Sequence, residues 1–305
     1  MAYFNPGITF DIGAFNPFKV MAVEHQLADH PLLKLERLIE LGDRLAKTGS
    51  VRHHNDQAKA DTNFVHAPET HRAQLSAEET LRQIQTAKAW LALHNVQQDP
   101  VYRGLVDEVL DFVRPLVEMK DPGMCHRAGW IFVTSPGAIT PYHMDHEHNF
   151  IVQIRGTKTL HVWEPLDREV VSERALELFH GKLSRELVVY RDALLPRAHV
   201  FNLRPGMGGY MPQTAPHWVK NGDEVSITAS FTYYTNATRR RALLHRGNEK
   251  LRSLGLTPAP VGHTPVVDSV KHLAFQAQQQ LKNVVNSARG KPTLPSTSFS
   301  YAPTP

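Results

Sequence analysis

Cysteine is almost absent from this sequence, because Cys125 is the only one among 305 residues. A single cysteine cannot form a disulfide within the chain, and its isolation excludes a metal site built from several cysteines. We interpret Cys125 as a packing residue. This composition is typical of a protein that works in a reducing compartment, and we expect the cytoplasm.

Long apolar runs are also lacking. No stretch approaches the roughly 20 apolar residues that a membrane-spanning helix requires. Residues 1–6, with the sequence MAYFNP, show neither the basic start nor the apolar centre of a signal peptide. We therefore expect no membrane association.

Acidic residues are scarce in the last part of the chain. From Arg239 onward, ten Lys or Arg residues accompany two acidic ones, a charge of about +8, whereas the whole chain carries +4. A basic region of this kind could contact nucleic acid or an acidic protein. A solvated helix and tail is the simpler interpretation.

The first 122 residues are predicted to be mainly helical and to pack on the core as a cap. Apolar residues recur at helical spacing in the segments 30–49, 76–91 and 101–116. Ser76 and Glu79 form a capping box at the start of the second helix. We assign four residues to the apolar face of that helix: Leu81, Ile84, Trp90 and Leu91. The histidines at 53, 54, 66 and 71 match no tight ligand spacing, so we predict no second metal site.

From residue 123 the pattern changes to short strands. Apolar and β-branched runs between Gly and Pro turns predict strands at 130–133, 150–154, 159–163, 200–203, 210–212, 217–220 and 225–234. A short turn at 155–157 joins the second of these strands to the third. The pattern predicts a mainly β protein, with a jelly-roll core at 123–238 and helical additions at both ends.

Three further segments complete this prediction. Residues 166–195 form an insertion in the core, with a helix near 171–179. Residues 239–289 form a basic C-terminal region with helices at 239–254 and 266–288. The segment 290–305 is rich in Pro, Ser and Thr and is predicted to be a flexible tail.

A candidate metal site lies at the first part of the core. His143 and Asp145 are two residues apart, so on an extended chain their side chains point to the same side. His217 could supply a third ligand from a later segment. Two imidazoles and one carboxylate form the facial set of non-haem Fe(II) oxygenases, which leaves open positions on the metal.

The residues around these ligands resemble the two motifs of the cupin superfamily. Five residues fall at positions of the first motif, with an Asp in place of its second His and an Asn in place of its Glu: Gly137, His143, Asp145, Asn149 and Gly156. Four residues fit the second motif, in which Thr214 replaces a glycine: Gly206, Pro212, His217 and Asn221.

The His-x-Asp…His set is similar to that of the jumonji-C (JmjC) and cupin-like branch of 2-oxoglutarate-dependent oxygenases. The neighbouring residues look most like the asparaginyl-hydroxylase type of that branch, over about 131–234. The resemblance implies that His143, Asp145 and His217 are the catalytic Fe(II) ligands.

The same resemblance implies further roles. Lys158 and Thr140 match the positions that hold the distal carboxylate of 2-oxoglutarate, and the amide of Asn149 could bond the oxo acid or the ligand carboxylate. Ser230 departs from the asparagine that relatives use as a polar cofactor contact. We expect His146 and His148 to be neighbours of the site or surface groups rather than ligands.

The resemblance also concerns partners. Insertions such as 166–195 border the substrate cleft in this family, and C-terminal helix pairs are a common dimer device in it, so a homodimer is possible.

We therefore expect an Fe(II)- and 2-oxoglutarate-dependent oxygenase that uses dioxygen on an unidentified protein, peptide or small molecule. A hydroxylase is favoured over a demethylase, because neither zinc-ligand cysteines nor a chromatin-reading module accompanies the core. One alternative is a non-catalytic cupin-type regulator that binds a ligand and contacts nucleic acid through the basic C-terminal region. Another is a cupin enzyme with a different metal and no oxo acid.

Overall fold

A computed structural model describes residues 5–289, and the tail predicted at 290–305 lies outside the described residues. The strands are β1 (Met21–Glu24), β2 (Val51–Asn55), β3 (Ala89–His94), β4 (Cys125–Thr134), β5 (Ile139–His143), β6 (His148–Arg155), β7 (Lys158–Val162), β8 (His199–Leu203), β9 (Met207–Met211), β10 (His217–Asn221) and β11 (Ser226–Tyr234). The helices are α1 (Leu35–Ala46), α2 (Ala67–Thr70), α3 (Ala77–Arg82), α4 (Pro100–Glu118), α5 (Glu173–Lys182), α6 (Asn236–Ser253) and α7 (Pro265–Ala288).

The strands form two antiparallel sheets. The larger sheet has the order β1-β9-β6-β11-β4-β3-β2, and the smaller has the order β5-β10-β7-β8. Strands that follow one another along the core repeatedly change sheet, which is the arrangement of a jelly roll. The predicted fold class is confirmed, and all seven predicted core strands are present within a few residues of their expected bounds.

The short turn between β6 and β7 does not close a hairpin within one sheet. Its residues lie where predicted, but β6 belongs to the larger sheet and β7 to the smaller one. Gly156 has φ +68°, and a Cβ on it would lie 2.5 Å from the carbonyl oxygen of Val225. Glycine is therefore required where the chain crosses from one sheet to the other.

The helix predicted from 76 to 91 is wrong in its second half. The capping box of Ser76 and Glu79 is present, but α3 ends at Arg82. Trp90 and Leu91 instead lie in β3, where all six residues are buried between β2 and β4. A short apolar run can be a buried strand or a buried helix, and periodicity alone does not distinguish them. The polar segment from residue 51 also supplies a strand, β2, at the edge of the sheet.

The N-terminal region thus contributes β1, β2 and β3 to the larger sheet as well as helices. Its helices α1, α3 and α4 cover the outer face of that sheet, and one apolar cluster joins their buried residues to those of β4 and β11. The two sheets enclose a second cluster that includes Ile151, Leu160 and Val219.

The predicted helix in the insertion is α5, and the two predicted C-terminal helices are α6 and α7. Apolar residues of α5 pack with Tyr142 and Trp163 on the outer side of the smaller sheet. Helix α6 packs on α5, and α7 packs on α6. Within residues 5–289, no helix is long and apolar enough to cross a membrane.

Candidate metal centre

The pairing of β5 with β10 brings the three predicted ligands together. His143 and His217 are direct partners in this antiparallel pair, and Asp145 follows two residues after the end of β5. The carboxylate oxygens of Asp145 lie 3.8 Å from Nε2 of His143 and 3.7 Å from Nε2 of His217. These three residues are the one group in the described part of the chain whose ligand atoms lie close enough to hold a metal ion.

Backbone carbonyls orient both imidazoles. Nδ1 of His143 lies 2.8 Å from the carbonyl oxygen of Pro141, and Nδ1 of His217 lies 3.0 Å from that of Ala215. A proton on each Nδ1 leaves each Nε2 lone pair directed at the centre, as in metal sites that fix the histidine tautomer through an outer hydrogen bond. Burial, together with the neighbouring His217, lowers the pKa of His143 well below its ordinary value, which favours the neutral, ligating form.

Lys158 lies in the pocket next to these ligands. The pocket is lined by Phe132, Thr140, His143, Asp145, Asn149, Ile151, Lys158, His217, Val219 and Ser230. Lys158 is 6% exposed, and no described residue forms a hydrogen bond or ion pair with it. Burial lowers the pKa of its ammonium group to about 7. A buried cation without a partner is costly, and an anionic ligand would offset that cost.

Thr140 and Asn149 also line the pocket. The Trp90 indole N–H donates a hydrogen bond to the Thr140 hydroxyl at 2.8 Å. A bulge in β5, opposite the His217 to Val219 step of β10, allows Thr140 and His143 to face the same side although they are three residues apart. Asn149 donates to the Ser230 hydroxyl at 3.2 Å. Its buried carbonyl oxygen has no hydrogen-bond partner among the described residues, so it is free to meet a ligand.

Two other histidines near the site, His146 and His148, are buried rather than at the surface and lie outside the candidate group. The His146 ring stacks on Phe179 with centroids 3.8 Å apart. His148 is completely buried, with Nδ1 at 2.9 Å from the Tyr210 hydroxyl and Nε2 at 3.3 Å from Asp121. Within the described residues, the four histidines at 53–71 do not belong to the group that could hold a metal ion.

Thr214, which replaces a glycine of the second motif, has a backbone conformation that favours glycine. Its φ is +62°, in the left-handed region that costs a non-glycine residue about 1–2 kcal/mol. Its N–H donates to the carbonyl oxygen of Asp145 at 2.9 Å. The chain thus holds local strain at a point that fixes the loop of a candidate ligand.

The sequence reasoning missed Phe64, whose ring stacks on the His143 imidazole. Phe64 lies outside both motifs, in a polar segment without periodicity, and no sequence signal marked it. Asn221 of the second motif is not part of the pocket. Its amide donates to the Thr134 hydroxyl at 2.5 Å and so ties β10 to the larger sheet.

The buried lysine leads to a stability prediction. We expect Lys158→Met to raise the free energy of unfolding at pH 7 by a few kcal/mol. In the unfolded chain the lysine has a pKa of about 10.4, whereas burial in the folded protein lowers that pKa to about 7. This penalty in the wild type decreases as the pH rises from 7 towards 10, so the two proteins should converge there. Urea unfolding at both pH values measures the difference.

Lys220→Met is the matched control, because Lys220 is an exposed lysine of the neighbouring strand β10. It should change stability little at either pH. A Lys158→Met difference that is absent at pH 7, or equal at both pH values, would contradict the prediction.

Comparison with known proteins places this geometry in a family. The sequence model of the cupin-like domain matches residues 24–239, whereas no curated protein matches the chain. Among solved structures, the X-ray structure of ycfD from E. coli has 14% identity and a TM-score of 0.47, covering 94% of this chain and 70% of its own. YcfD from Escherichia coli, described as a ribosomal oxygenase in complex with cobalt and 2-oxoglutarate, has 14% identity and a TM-score of 0.47, covering 93% and 69%. Since the family match spans more than half of the chain and includes both motifs, this protein belongs to the cupin-like domain family.

Proposed function

We propose that this protein is an Fe(II)- and 2-oxoglutarate-dependent oxygenase, and specifically a hydroxylase. The observation that carries this proposal is the convergence of His143, Asp145 and His217 in a pocket that also contains the buried, unpaired ammonium group of Lys158. The two histidines and the aspartate match the facial set of non-haem iron oxygenases, and the ammonium group of Lys158 is suited to bind a carboxylate.

The three ligands would hold iron on one face and leave the opposite positions for the oxo acid and dioxygen. With 2-oxoglutarate bound, iron supplies the oxidative chemistry. Dioxygen gives one oxygen atom to succinate, with release of carbon dioxide, and the other to a substrate C–H bond, which becomes C–OH. The protein's own contribution is to orient the ligands and to keep water from the pocket.

Lys158 and Thr140 would bind the distal carboxylate of 2-oxoglutarate. The ammonium group of Lys158 offers charge in a buried site, where an ion pair is strong, and the Thr140 hydroxyl can still donate while it accepts from Trp90. The free carbonyl oxygen of Asn149 faces the same pocket and could contact the oxo acid through water.

The substrate is proposed to be a protein, a peptide or a small molecule. Hydroxylation is favoured over demethylation because these 305 residues, with the single cysteine Cys125, contain no cysteine-rich zinc module of the kind that accompanies chromatin demethylases. The same unpaired cysteine supports a reducing compartment, and we propose the cytoplasm.

A turnover experiment tests this function. We expect the purified wild type to convert 2-oxoglutarate to succinate with Fe(II), and anaerobic Fe(II) plus 2-oxoglutarate to give a visible charge-transfer band. Asp145→Ala should abolish both, because two imidazoles alone do not hold the ion. Lys158→Ala should raise KM for 2-oxoglutarate about 30-fold or more, since removal of one partner of a buried charge pair costs about 2–5 kcal/mol.

Asp29→Ala, at an exposed aspartate outside the pocket, is the control and should behave as the wild type. Absence of the band in folded, metal-loaded wild type would refute the oxo-acid assignment. It would leave a cupin enzyme that uses its metal without 2-oxoglutarate.

A second candidate function is ligand-dependent regulation through nucleic acid. A groove between α6 and α7 favours it, with arginine and amide side chains as its main polar lining: Asn236, Arg239, Arg240, Arg246, Gln276, Gln279, Gln280 and Asn283. Among residues 5–289, no acidic side chain lines the groove. Guanidinium groups bind phosphates, and amides can read base edges.

Salt dependence tests this alternative. Binding of a fluorescent RNA or DNA oligonucleotide should weaken with salt, with a log–log slope of about −2 if three arginines each displace one counterion from a single strand. Arg239→Gln with Arg240→Gln should reduce that slope, whereas Arg204→Gln, at an exposed site outside the groove, should not. No retention at low salt would exclude a nucleic-acid role.

We further propose a homodimer through α7. Five apolar side chains on one stripe of this helix are between 64% and 73% exposed: Val266, Val270, Leu273, Leu281 and Val284. Their spacing of three, four or eight residues produces a continuous face along a 24-residue helix. The face carries no charge and can pair with its own copy about a twofold axis, so a second copy of this chain is the partner proposed.

The oligomeric state tests the α7 interface. Light scattering should give a dimer mass for the wild type at micromolar concentration and a monomer mass for Leu273→Glu with Leu281→Glu. Gln278→Glu adds a charge to α7 outside the stripe and should leave the dimer intact. A monomeric wild type would contradict the interface.

A further inference from the structure

A residue far from both motifs covers one of the candidate ligands. Phe64 lies in the loop between β2 and α2, is 8% exposed, and stacks on the imidazole of His143. The ring centroids are 3.8 Å apart and the planes differ by 2°. Trp90 is nearly perpendicular to the Phe64 ring, with an interplanar angle of 86° and centroids 6.4 Å apart, so the phenyl ring has two aromatic neighbours.

Arg52 of β2 holds the Phe64 ring in place. Its guanidinium carbon lies 4.4 Å from the ring centroid. His143 already occupies one face at 3.8 Å, and two groups cannot share a face at these distances. The guanidinium, phenyl and imidazole groups therefore form a stack of three. Arg52 also donates to the carbonyl oxygens of Phe64 and Val65, which fixes the backbone that carries the ring.

The loop is attached to the strand that bears the ligand. The N–H of Tyr142, the residue before His143, donates to the carbonyl oxygen of Ala60 at 2.9 Å. Within the loop, the Asn63 side chain accepts from the N–H groups of Val65 and His66 at 3.0 and 3.2 Å. Phe64 and His143 are thus held in register by hydrogen bonds on both sides of their contact.

The two histidine ligands differ in this respect. Each has a backbone carbonyl on Nδ1, but a single hydrogen bond leaves an imidazole able to rock about that bond. The phenyl ring restrains this motion for His143. Among residues 5–289, His217 has only the His143 ring within stacking range, and the planes of these two rings differ by 52°. Metal centres require their ligands within about 10–20° of the productive orientation.

We propose that Phe64, held by Arg52, is a positioning residue of the metal centre that fixes the plane of the His143 imidazole and closes that side of the centre. The open side is then that of Asp145, whose side chain is 26% exposed against 7% for each histidine. The primary substrate approaches there. This inference rests on the proposed metal site, but it does not depend on 2-oxoglutarate or on turnover.

Cobalt binding by the full chain tests the proposal. Titration of metal-free protein with Co(II), followed by the visible absorption of the bound ion, reports both affinity and ligand geometry. We expect Phe64→Leu to raise the Kd for Co(II) about 10-fold, the lower end of the effect of outer residues in metal sites, and to change the band shape. Phe64→Tyr keeps a ring in place and should restore the wild-type affinity and spectrum. Arg52→Gln should shift both in the same direction as Phe64→Leu, by less.

Phe15→Leu controls for the loss of a buried aromatic side chain, because Phe15 packs with Phe10 and Tyr210 in the core. It should lower the melting temperature without a change in the cobalt spectrum. Wild-type affinity and spectrum in folded Phe64→Leu would overturn the proposal. Should that variant fail to fold, a wild-type cobalt spectrum in Arg52→Gln would overturn it equally. A wild type that binds no Co(II) would instead remove the metal site and the proposed function with it.

Discussion

The register of β5 against β10 is the constraint on which the rest of the centre depends. Because His143 and His217 are direct partners across an antiparallel pair, strand pairing alone brings their imidazoles side by side. A shift of one residue would turn either ring to the outer face of the sheet, against α5 and its apolar neighbours. The bulge in β5 and the carbonyl oxygens of Pro141 and Ala215 then set the direction of the rings. Asp145 completes the group from a loop whose backbone is tied to Thr214.

The interior between the two sheets contains several buried polar side chains. Lys158, Asn149 and Ser230 lie where apolar side chains would give a more stable fold, and Thr214 adds backbone strain next to them. Buried polar groups and strained residues of this kind cluster where proteins bind ligands, because the fold retains them for function rather than for stability. The outer faces of both sheets, by contrast, are covered by conventional apolar clusters under α1, α4 and α5.

The sequence allowed prediction of the parts that depend on local pattern or fixed spacing. The core strands and the grouping of His143, Asp145 and His217 follow from strand periodicity and motif spacing. Trp90 and Leu91 were misassigned because a buried strand has no polar face to reveal its period. The sheet change at Gly156 and the stack of Phe64 on His143 depend on contacts between segments distant in sequence. No local pattern encodes such contacts.

Under the proposed function, the buried ammonium group of Lys158 would link the lifetime of the protein to the supply of 2-oxoglutarate. A ligand present at 100 times its Kd stabilises the folded state by about 2.7 kcal/mol, and neutralisation of a desolvated cation is a direct source of such binding energy. Cells short of 2-oxoglutarate would therefore hold more of this chain in its weaker, ligand-free form. Proteases that capture transiently opened chains would then remove it faster, so metabolic state would set abundance as well as rate.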